Sequence, residues 1–184
     1  PKMKWINMGG GHHITRADYD VELLIKIIRR FREKYGVEVY LEPGEAVGWQ
    51  TGFLISSVLD IVHNEKDTAI LDTSAEAHMP DTVLMPYRPA VRSESENGKF
   101  AYRFGGNTCL AGDIVGLEVG DAEYKFDSEL KIGDHIIFED QIHYTIVKNT
   151  TFNGIKLPDL LLLKENGEIK MIRELDYEEY RRRN

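Results

Sequence analysis

The chain has 184 residues, enough for a sizeable core, and 42% of them are hydrophobic and 29% charged. Its formal net charge of −8 argues against nucleic acid or an anionic membrane as a partner, because both attract a basic face. Cys109 is the only cysteine, which excludes an internal disulfide and indicates a reducing compartment. Since no apolar run approaches the ~18 residues of a membrane span, we expect a cytoplasmic protein.

The first part of the chain has the rhythm of a parallel α/β fold. Residues 4–8 are apolar and run into Gly9-Gly10-Gly11, which predicts a strand followed by a tight loop. Residues 37–41 predict a second strand, and this one ends at the turn Glu42-Pro43-Gly44. Two such strand–loop units joined by a helix are typical of parallel sheets.

The segment between these two strands predicts a helix over residues 18–35. Its apolar residues recur at three- and four-residue spacings, with charged residues between them. Asp18 is the predicted N-terminal cap, and Gly36 is the predicted C-terminal stop.

The rest of the chain predicts an antiparallel β domain. Five segments have the β-branched or apolar character of strands, namely 68–72, 134–138, 142–147, 159–164 and 169–172. The last two flank Asn166-Gly167, a strong hairpin signal. The charged tail, residues 176–184, predicts a short helix or a frayed end.

These elements divide the chain into residues 1–48, 49–175 and 176–184. The first segment holds too few strands to close a parallel barrel, which needs many more. The chain also begins at Pro1, directly before structured-looking sequence. We therefore expect a chain whose missing barrel strands lie upstream.

Two turns in the first segment are candidates for binding an anion and a ring nitrogen. The amides of Gly9-Gly10-Gly11 can approach a phosphate closely, although a flexible turn would have the same composition. Glu42 follows a parallel strand, at the edge where such folds do chemistry. His12-His13 have no third ligand at a recognisable spacing, so we predict no metal site.

A further candidate is the small-residue loop around Cys109, which carries Asp113 four positions later. A buried, inert thiol is the ordinary interpretation of a lone cysteine. Tyr144 and the run Phe152-Asn153-Gly154 would ordinarily be a strand residue and a turn. No one of these motifs is decisive alone.

In this order and combination, the motifs resemble the alanine-racemase-like (fold type III) decarboxylases that use pyridoxal 5′-phosphate. This group includes ornithine, diaminopimelate and carboxynorspermidine decarboxylases. Residues 7–13, 42–49, 108–113 and 138–145 are most similar to the carboxynorspermidine (carboxyspermidine) branch, which acts in polyamine biosynthesis. The resemblance covers almost the whole chain.

The resemblance implies an α/β plus β architecture. The chain would supply the last two βα units of a cofactor-binding (β/α)8 barrel and then the C-terminal antiparallel β domain. By resemblance, Gly10, Gly11, Gly44 and Tyr144 contact the phosphate of pyridoxal 5′-phosphate, and Glu42 contacts its pyridine nitrogen.

The resemblance also implies a homodimer whose active sites are shared between subunits. Cys109 and Asp113 would be catalytic residues in the partner's site, with the thiol donating a proton to the substrate Cα. Asp113 would also bind an amine of a polyamine-like substrate. Arg88, in a segment similar to the Arg-Pro of diaminopimelate decarboxylases, would bind a substrate carboxylate.

Three departures limit these expectations. Glu45 stands where ornithine and diaminopimelate decarboxylases have a phosphate-binding arginine, so that contact is not carried over. Leu110 stands where the ornithine enzyme has an acid, which indicates another substrate. The lysine that holds the cofactor covalently has no counterpart here, so the chain alone is expected to be inactive. The alternatives are a diaminopimelate decarboxylase and a non-catalytic homologue that binds partners.

Overall fold

The computed structural model describes residues 2–117 and 119–183 and separates the chain into two units at Gly52/Phe53. The first unit contains two strands and two helices: β1 (Trp5–Asn7), α1 (Val21–Tyr35), β2 (Glu38–Tyr40) and α2 (Gly44–Gly48). Strands β1 and β2 pair in parallel, as their common linkage through a helix requires. The strand–helix–strand order predicted for this segment is confirmed, and α2 is an addition to it.

Helix α1 has defined caps at both ends. The Asp20 carboxylate accepts a hydrogen bond from the Leu23 amide at 2.8 Å, so Asp20 is the N-cap. The prediction of Asp18 was wrong, because Asp18 instead binds the Arg16 guanidinium through both carboxylate oxygens. Gly36 has a φ of 63° and its amide donates to the Arg32 carbonyl, which confirms it as the stop.

The second unit is built on a five-stranded sheet in the order β6-β5-β4-β3-β7. Its strands are β3 (Phe53–Asn64), β4 (Lys66–Leu71), β5 (Phe100–Gly105), β6 (Tyr124–Phe126) and β7 (His135–Glu139). Two short helices, α3 (Ala75–His78) and α4 (Asp81–Leu84), follow β4. They lie in the crossover that returns the chain to the neighbouring strand, β5.

This sheet is mixed, so the prediction of an antiparallel domain was wrong in one respect. Strands β4 and β5 pair in parallel, with Thr68 opposite Arg103. Such a ladder needs the long crossover that the chain provides between Leu71 and Phe100. The predicted strand 142–147 was also wrong, because Tyr144–Val147 forms a helical turn, α5, closed by the Lys148 amide and the Tyr144 carbonyl.

The core of the second unit is aromatic. Phe104 stacks on Tyr124 with ring centroids 4.6 Å apart and meets Phe138 edge-on at 5.7 Å. All three side chains are fully buried, and Leu71 and Ile136 pack with them in the same cluster. These rings fix the strands from which the loops of the candidate site emerge.

The C-terminal part of the unit confirms the hairpin expected around Asn166-Gly167. Strands β8 (Leu160–Leu163) and β9 (Ile169–Arg173) pair antiparallel, and α6 (Tyr177–Arg183) follows as the predicted tail helix. Among the residues that the structure describes, no helix is both long and apolar enough to cross a membrane.

Candidate active site

The glycine loop, residues 9–11, is tied to Glu42 at the carboxyl ends of β1 and β2. The Asn7 amide nitrogen donates to Glu42 Oε1, while Asn7 Oδ1 accepts from the Gly9 amide at 2.8 Å. The Glu42 amide donates to the Gly9 carbonyl at 2.8 Å. Asn7 therefore sets the position of one Glu42 oxygen, and the other carboxylate oxygen has no hydrogen-bond partner among the described residues.

The glycine loop has both the space and the amide donors that an anion needs. Gly9 and Gly11 have φ values of 79° and 74°, a conformation that glycine adopts without strain. In the described part of the chain, the amides of Gly10 and Gly11 have no backbone acceptor. A Cβ on Gly11 or Gly44 would meet nothing within 4 Å. The Gly44 amide differs, because it donates to the Glu42 carbonyl at 2.8 Å.

This arrangement fits pyridoxal 5′-phosphate, which needs an anion site and a carboxylate for its ring nitrogen. The open glycine amides can donate hydrogen bonds to the phosphate, and the exposed Glu42 carboxylate is oriented by Asn7. The free amides support the expected phosphate contacts of Gly10 and Gly11. Gly44 would instead let the phosphate approach the backbone closely, because its amide already donates to the Glu42 carbonyl.

The two histidines after the loop make local contacts. His12 Nδ1 lies 2.9 Å from the Tyr19 hydroxyl. His13 Nε2 lies 3.6 Å from Glu45 Oε2, and its ring meets Trp49 edge-on. Glu45, at the position of the missing arginine, therefore faces a histidine. Among the described residues, no group of three histidine, cysteine or acidic side chains could hold a metal ion.

In the second unit, Cys109 is exposed and contacts Asn153. Asn153 Oδ1 accepts from the Cys109 amide at 3.2 Å and from its thiol at 3.3 Å. Asn153 has a φ of 56°, a conformation that asparagine tolerates better than most residues. The side chain that orients the thiol thus comes from a loop 44 positions away in sequence. An exposed thiol held in one direction is not the inert, buried cysteine of the ordinary interpretation.

Asp113 is buried, with 4% of its surface exposed, and its two oxygens have different partners. Oδ1 accepts from the Ser74 hydroxyl at 3.0 Å and the Ala75 amide at 2.8 Å. Oδ2 accepts from the Thr108 hydroxyl, immediately before the cysteine. This placement does not give a substrate amine access to Asp113. We therefore revise its expected role from substrate contact to positioning of the cysteine loop, residues 106–113.

Helix α3 connects the cysteine loop to the asparagine loop, residues 150–154. Asp113 binds at the start of the helix, and the Ala77 carbonyl accepts from the Thr150 amide at 2.8 Å. His78, at the end of the helix, is 1% exposed and its Nδ1 accepts from the Ser74 amide at 3.1 Å. Both loops that carry Cys109 and Asn153 are thus anchored to one short, buried segment.

The burial of His78 predicts a pH-dependent loss of stability. Burial lowers the pKa of His78 to about 4, although the Lys156 backbone and the Asp113 and Asp72 carboxylates oppose the shift. Between pH 6.5 and 4 the unfolded chain therefore binds a proton that the folded chain does not. We expect the free energy of unfolding to fall by about 3 kcal/mol as the pH drops through this range.

Urea denaturation at pH 7 and pH 4.5 measures this dependence. Replacing His78 by Gln should make the free energy of unfolding differ less between the two pH values. Replacing the exposed His63 by Gln should leave that difference unchanged. Equal pH dependence in the His78 variant and the parent protein would contradict the assignment.

Arg88 is engaged inside the second unit. Its guanidinium pairs with the Glu94 carboxylate, donates to the Glu123 carbonyl at 2.7 Å and lies 3.7 Å from the Tyr124 ring centroid. These contacts cover one face of the guanidinium and engage both of its terminal nitrogens, which a substrate carboxylate would use. The structure therefore gives Arg88 a structural role in place of the expected carboxylate contact.

Tyr144 is 58% exposed and lies on α5, with Lys148 Nζ 4.8 Å from its ring. Its predicted phosphate contact stays a prediction. The sequence reasoning missed two residues of this region, Ser74 and His78, for which no pattern gave a signal. Asn153 was named as part of the run Phe152-Asn153-Gly154, but no role was predicted for its side chain.

Comparisons with known proteins identify the family of the chain. Residues 17–141 match the family model described as pyridoxal-dependent decarboxylase, C-terminal sheet domain. Carboxynorspermidine/carboxyspermidine decarboxylase of Campylobacter jejuni is 59% identical over the whole chain, which covers 50% of that protein. Carboxyaminopropylagmatine decarboxylase of Synechocystis is 45% identical, again over the whole chain, which covers 47% of it.

A solved structure is similar as well. The crystal structure of carboxynorspermidine decarboxylase complexed with norspermidine, from Campylobacter jejuni, is 58% identical and superposes with a TM-score of 0.86. The superposition covers 99% of this chain and 52% of that one. The chain thus spans about half the length of the curated relatives that it matches. By the family model and these relatives, the chain belongs to the pyridoxal-dependent decarboxylases and carries their C-terminal sheet domain.

Proposed function

We propose that this chain is the C-terminal portion of a pyridoxal-phosphate-dependent decarboxylase that converts carboxynorspermidine or carboxyspermidine to norspermidine or spermidine. The observation that carries the proposal is the 59% identity, over the whole chain, to an enzyme of that name. On this proposal the first unit is the end of a (β/α)8 barrel, whose other strands and cofactor-binding lysine lie outside the chain. The protein would act in polyamine biosynthesis, as a cytoplasmic homodimer.

The residues of the first unit would hold the cofactor. Pyridoxal 5′-phosphate supplies, when bound, an electron sink that weakens the bond to the departing carboxylate. Gly10 and Gly11 would donate their amides to its phosphate. Glu42, oriented by Asn7, would keep the proton on the pyridine nitrogen. That proton is needed because the positive ring draws electron density away from the bond that breaks.

The second unit would supply a proton. Loss of CO2 leaves the substrate Cα with an electron pair that must take up a proton. The Cys109 thiol, held by Asn153, is the donor we assign to that carbon. In a homodimer with shared sites, this thiol would act in the partner subunit's site. Tyr144 would approach the phosphate from the same unit as the thiol.

The diaminopimelate alternative has less support. Glu45 stands where those enzymes have an arginine, and Arg88, in the segment similar to theirs, is paired with Glu94 and packed on Tyr124. The diaminopimelate decarboxylase of Buchnera from Acyrthosiphon pisum is only 26% identical. The non-catalytic alternative is also disfavoured, because the glycine loop, Glu42 and an oriented thiol are all present.

The variant Glu42→Gln tests the cofactor assignment in the full-length protein. A neutral amide cannot hold the ring nitrogen in its protonated form, so we expect kcat to fall by roughly 10²–10³-fold. The absorbance of the bound cofactor, titrated into the apoprotein, should show weaker binding or an altered spectrum.

Glu38→Gln is the matched control, since Glu38 lies on β2, the strand that precedes Glu42, and pairs with the exposed Arg32. Its kcat should stay at the parent value. Parent-like kcat and an unchanged cofactor spectrum in Glu42→Gln would contradict the role of Glu42, while CO2 release by the parent protein would still support the proposed function.

A further inference from the structure

The tail helix, α6, is held onto the second unit by buried and charged contacts. Leu175, just before the helix, is buried, and its amide donates to Asp159 Oδ1 at 2.8 Å. Within the helix, the Glu179 carboxylate accepts from Arg173 of β9 at 2.6 Å and from Arg183 Nε at 3.1 Å. The hydrogen bond from Arg183 and the charges of both arginines lower the pKa of Glu179, so the carboxylate stays ionised between them. The helix is therefore docked and not frayed.

Arg183 connects this helix to the start of the asparagine loop. Its Nη1 donates to the backbone carbonyl and to the side-chain oxygen of Asn149, each at 3.2 Å. Its Nε donates to Glu179 at the same time, so one planar guanidinium bridges the helix and the loop. Asn149 directly precedes the loop, residues 150–154. The guanidinium thus fixes the point at which the chain enters the loop.

The tip of the asparagine loop depends on how its two ends are held. Residues 152–154 are exposed, and Asn153 has a φ of 56°, which few residue types adopt readily. At the exit, the side chain of Ile155 is buried. At the entry, the Thr150 amide donates to the Ala77 carbonyl at 2.8 Å, next to the contact with α6. A change at the entry should therefore be felt at the tip.

The tip in turn sets the direction of the Cys109 thiol. Asn153 Oδ1 accepts from Cys109 Sγ at 3.3 Å and from the Cys109 amide at 3.2 Å. Because the Asn153 side chain is exposed, core packing does not fix it, and its direction follows that of the loop. A continuous path of contacts thus runs from Arg183 through Asn149 and Asn153 to the thiol.

We propose that α6 is a positioning element for the Cys109 thiol and that Arg183 is the positioning residue through which it acts. The inference rests on the proposed function, in which the thiol donates a proton to the substrate Cα. Proton transfer requires a donor within hydrogen-bond reach of the acceptor, so a thiol that leaves Asn153 is a poorer donor. Arg183 acts through Asn149, so its loss should lower kcat and leave KM and cofactor binding unchanged.

The test compares Arg183→Ala with the parent in the full-length, cofactor-loaded protein. We expect kcat for carboxynorspermidine to fall about fivefold, as for loss of an exposed, charge-assisted contact that orients another group. Alkylation of Cys109 by iodoacetamide, followed by mass spectrometry of its peptide, should accelerate by a similar factor, because the thiol no longer has to give up Asn153 before it reacts. Arg181→Ala is the matched control, since Arg181 lies on the same helix and pairs with Glu178. Its kcat and its alkylation rate should equal those of the parent.

A second background separates positioning from general stability. Asn153→Ala alone should lower kcat and accelerate alkylation, and adding Arg183→Ala should then change neither quantity further. Arg183→Lys, which keeps the charge and can still reach Asn149, should lie between the parent and Arg183→Ala.

The inference is overturned by parent-like kcat and alkylation in Arg183→Ala, or by an equal effect of this substitution with and without Asn153. If the parent releases no CO2 from carboxynorspermidine, the proposed function fails. The alkylation rates would still decide whether Arg183 positions the thiol.

Discussion

Replacing Cys109 by alanine in the full-length protein should lower kcat for decarboxylation by roughly 10²–10⁴-fold, the range for loss of a positioned general acid. The thiol is the exposed end of a loop that Asp113 and Asn153 hold in place, so the alanine variant should keep its fold. Cofactor binding should be unchanged, because Cys109 is not among the expected cofactor contacts. The rate of CO2 release and the cofactor absorbance measure the two effects separately.

The same variant tests whether sites are shared between subunits. Neither Cys109→Ala nor Glu42→Gln should have appreciable activity alone. If each site takes Glu42 from one subunit and Cys109 from the other, an equal mixture should recover about a quarter of the parent activity through mixed dimers. Parent-like kinetics for Cys109→Ala would show that the thiol is inert. If the mixture of the two variants recovers no activity, Glu42 and Cys109 act in a site formed by one subunit.

Replacing Asp113 by alanine should destabilise the second unit by roughly 3–5 kcal/mol. The change removes the acceptor for the Ser74 hydroxyl, the Ala75 amide and the Thr108 hydroxyl, all in a site where Asp113 is 4% exposed. Because Thr108 precedes the cysteine, the loss should also release the loop and reduce kcat as strongly as Cys109→Ala does.

Thermal unfolding and amide hydrogen exchange of the full-length protein measure these effects. Exchange should increase most in residues 74–78 and 106–113, the two segments that Asp113 joins. Asp134→Ala is the control, because Asp134 accepts a single backbone bond, from Lys131, at a partly exposed turn. A variant Asp113→Ala that is as stable as the parent and differs only in KM would restore the expected role of Asp113 in binding substrate.

The parts of the fold that followed from sequence are those set by local physical chemistry. The apolar period of α1, its glycine stop, and the Asn166-Gly167 turn of the β8–β9 hairpin each depend on neighbouring residues alone. The glycine loop and Glu42 were found for the same reason, since each directly follows a strand of a parallel pair.

The parts that did not follow depend on partners far away in sequence. The parallel pairing of β4 with β5 needs a crossover that no short pattern specifies. The apolar segment of α5 has the composition of a strand, yet no strand of the described residues pairs with it, and it closes as a single helical turn. The role of Asp113 depends on Ser74, which lies 39 positions away, and the substrate contact that the resemblance implied is not supported by the burial of Asp113.

The most direct test of this account is the rate of CO2 release by the full-length, cofactor-loaded protein from competing amino acids. We predict that kcat/KM for carboxynorspermidine or carboxyspermidine exceeds that for diaminopimelate and ornithine by about 10²-fold or more. A preference for diaminopimelate or ornithine, or no CO2 release from any of the four, would contradict it.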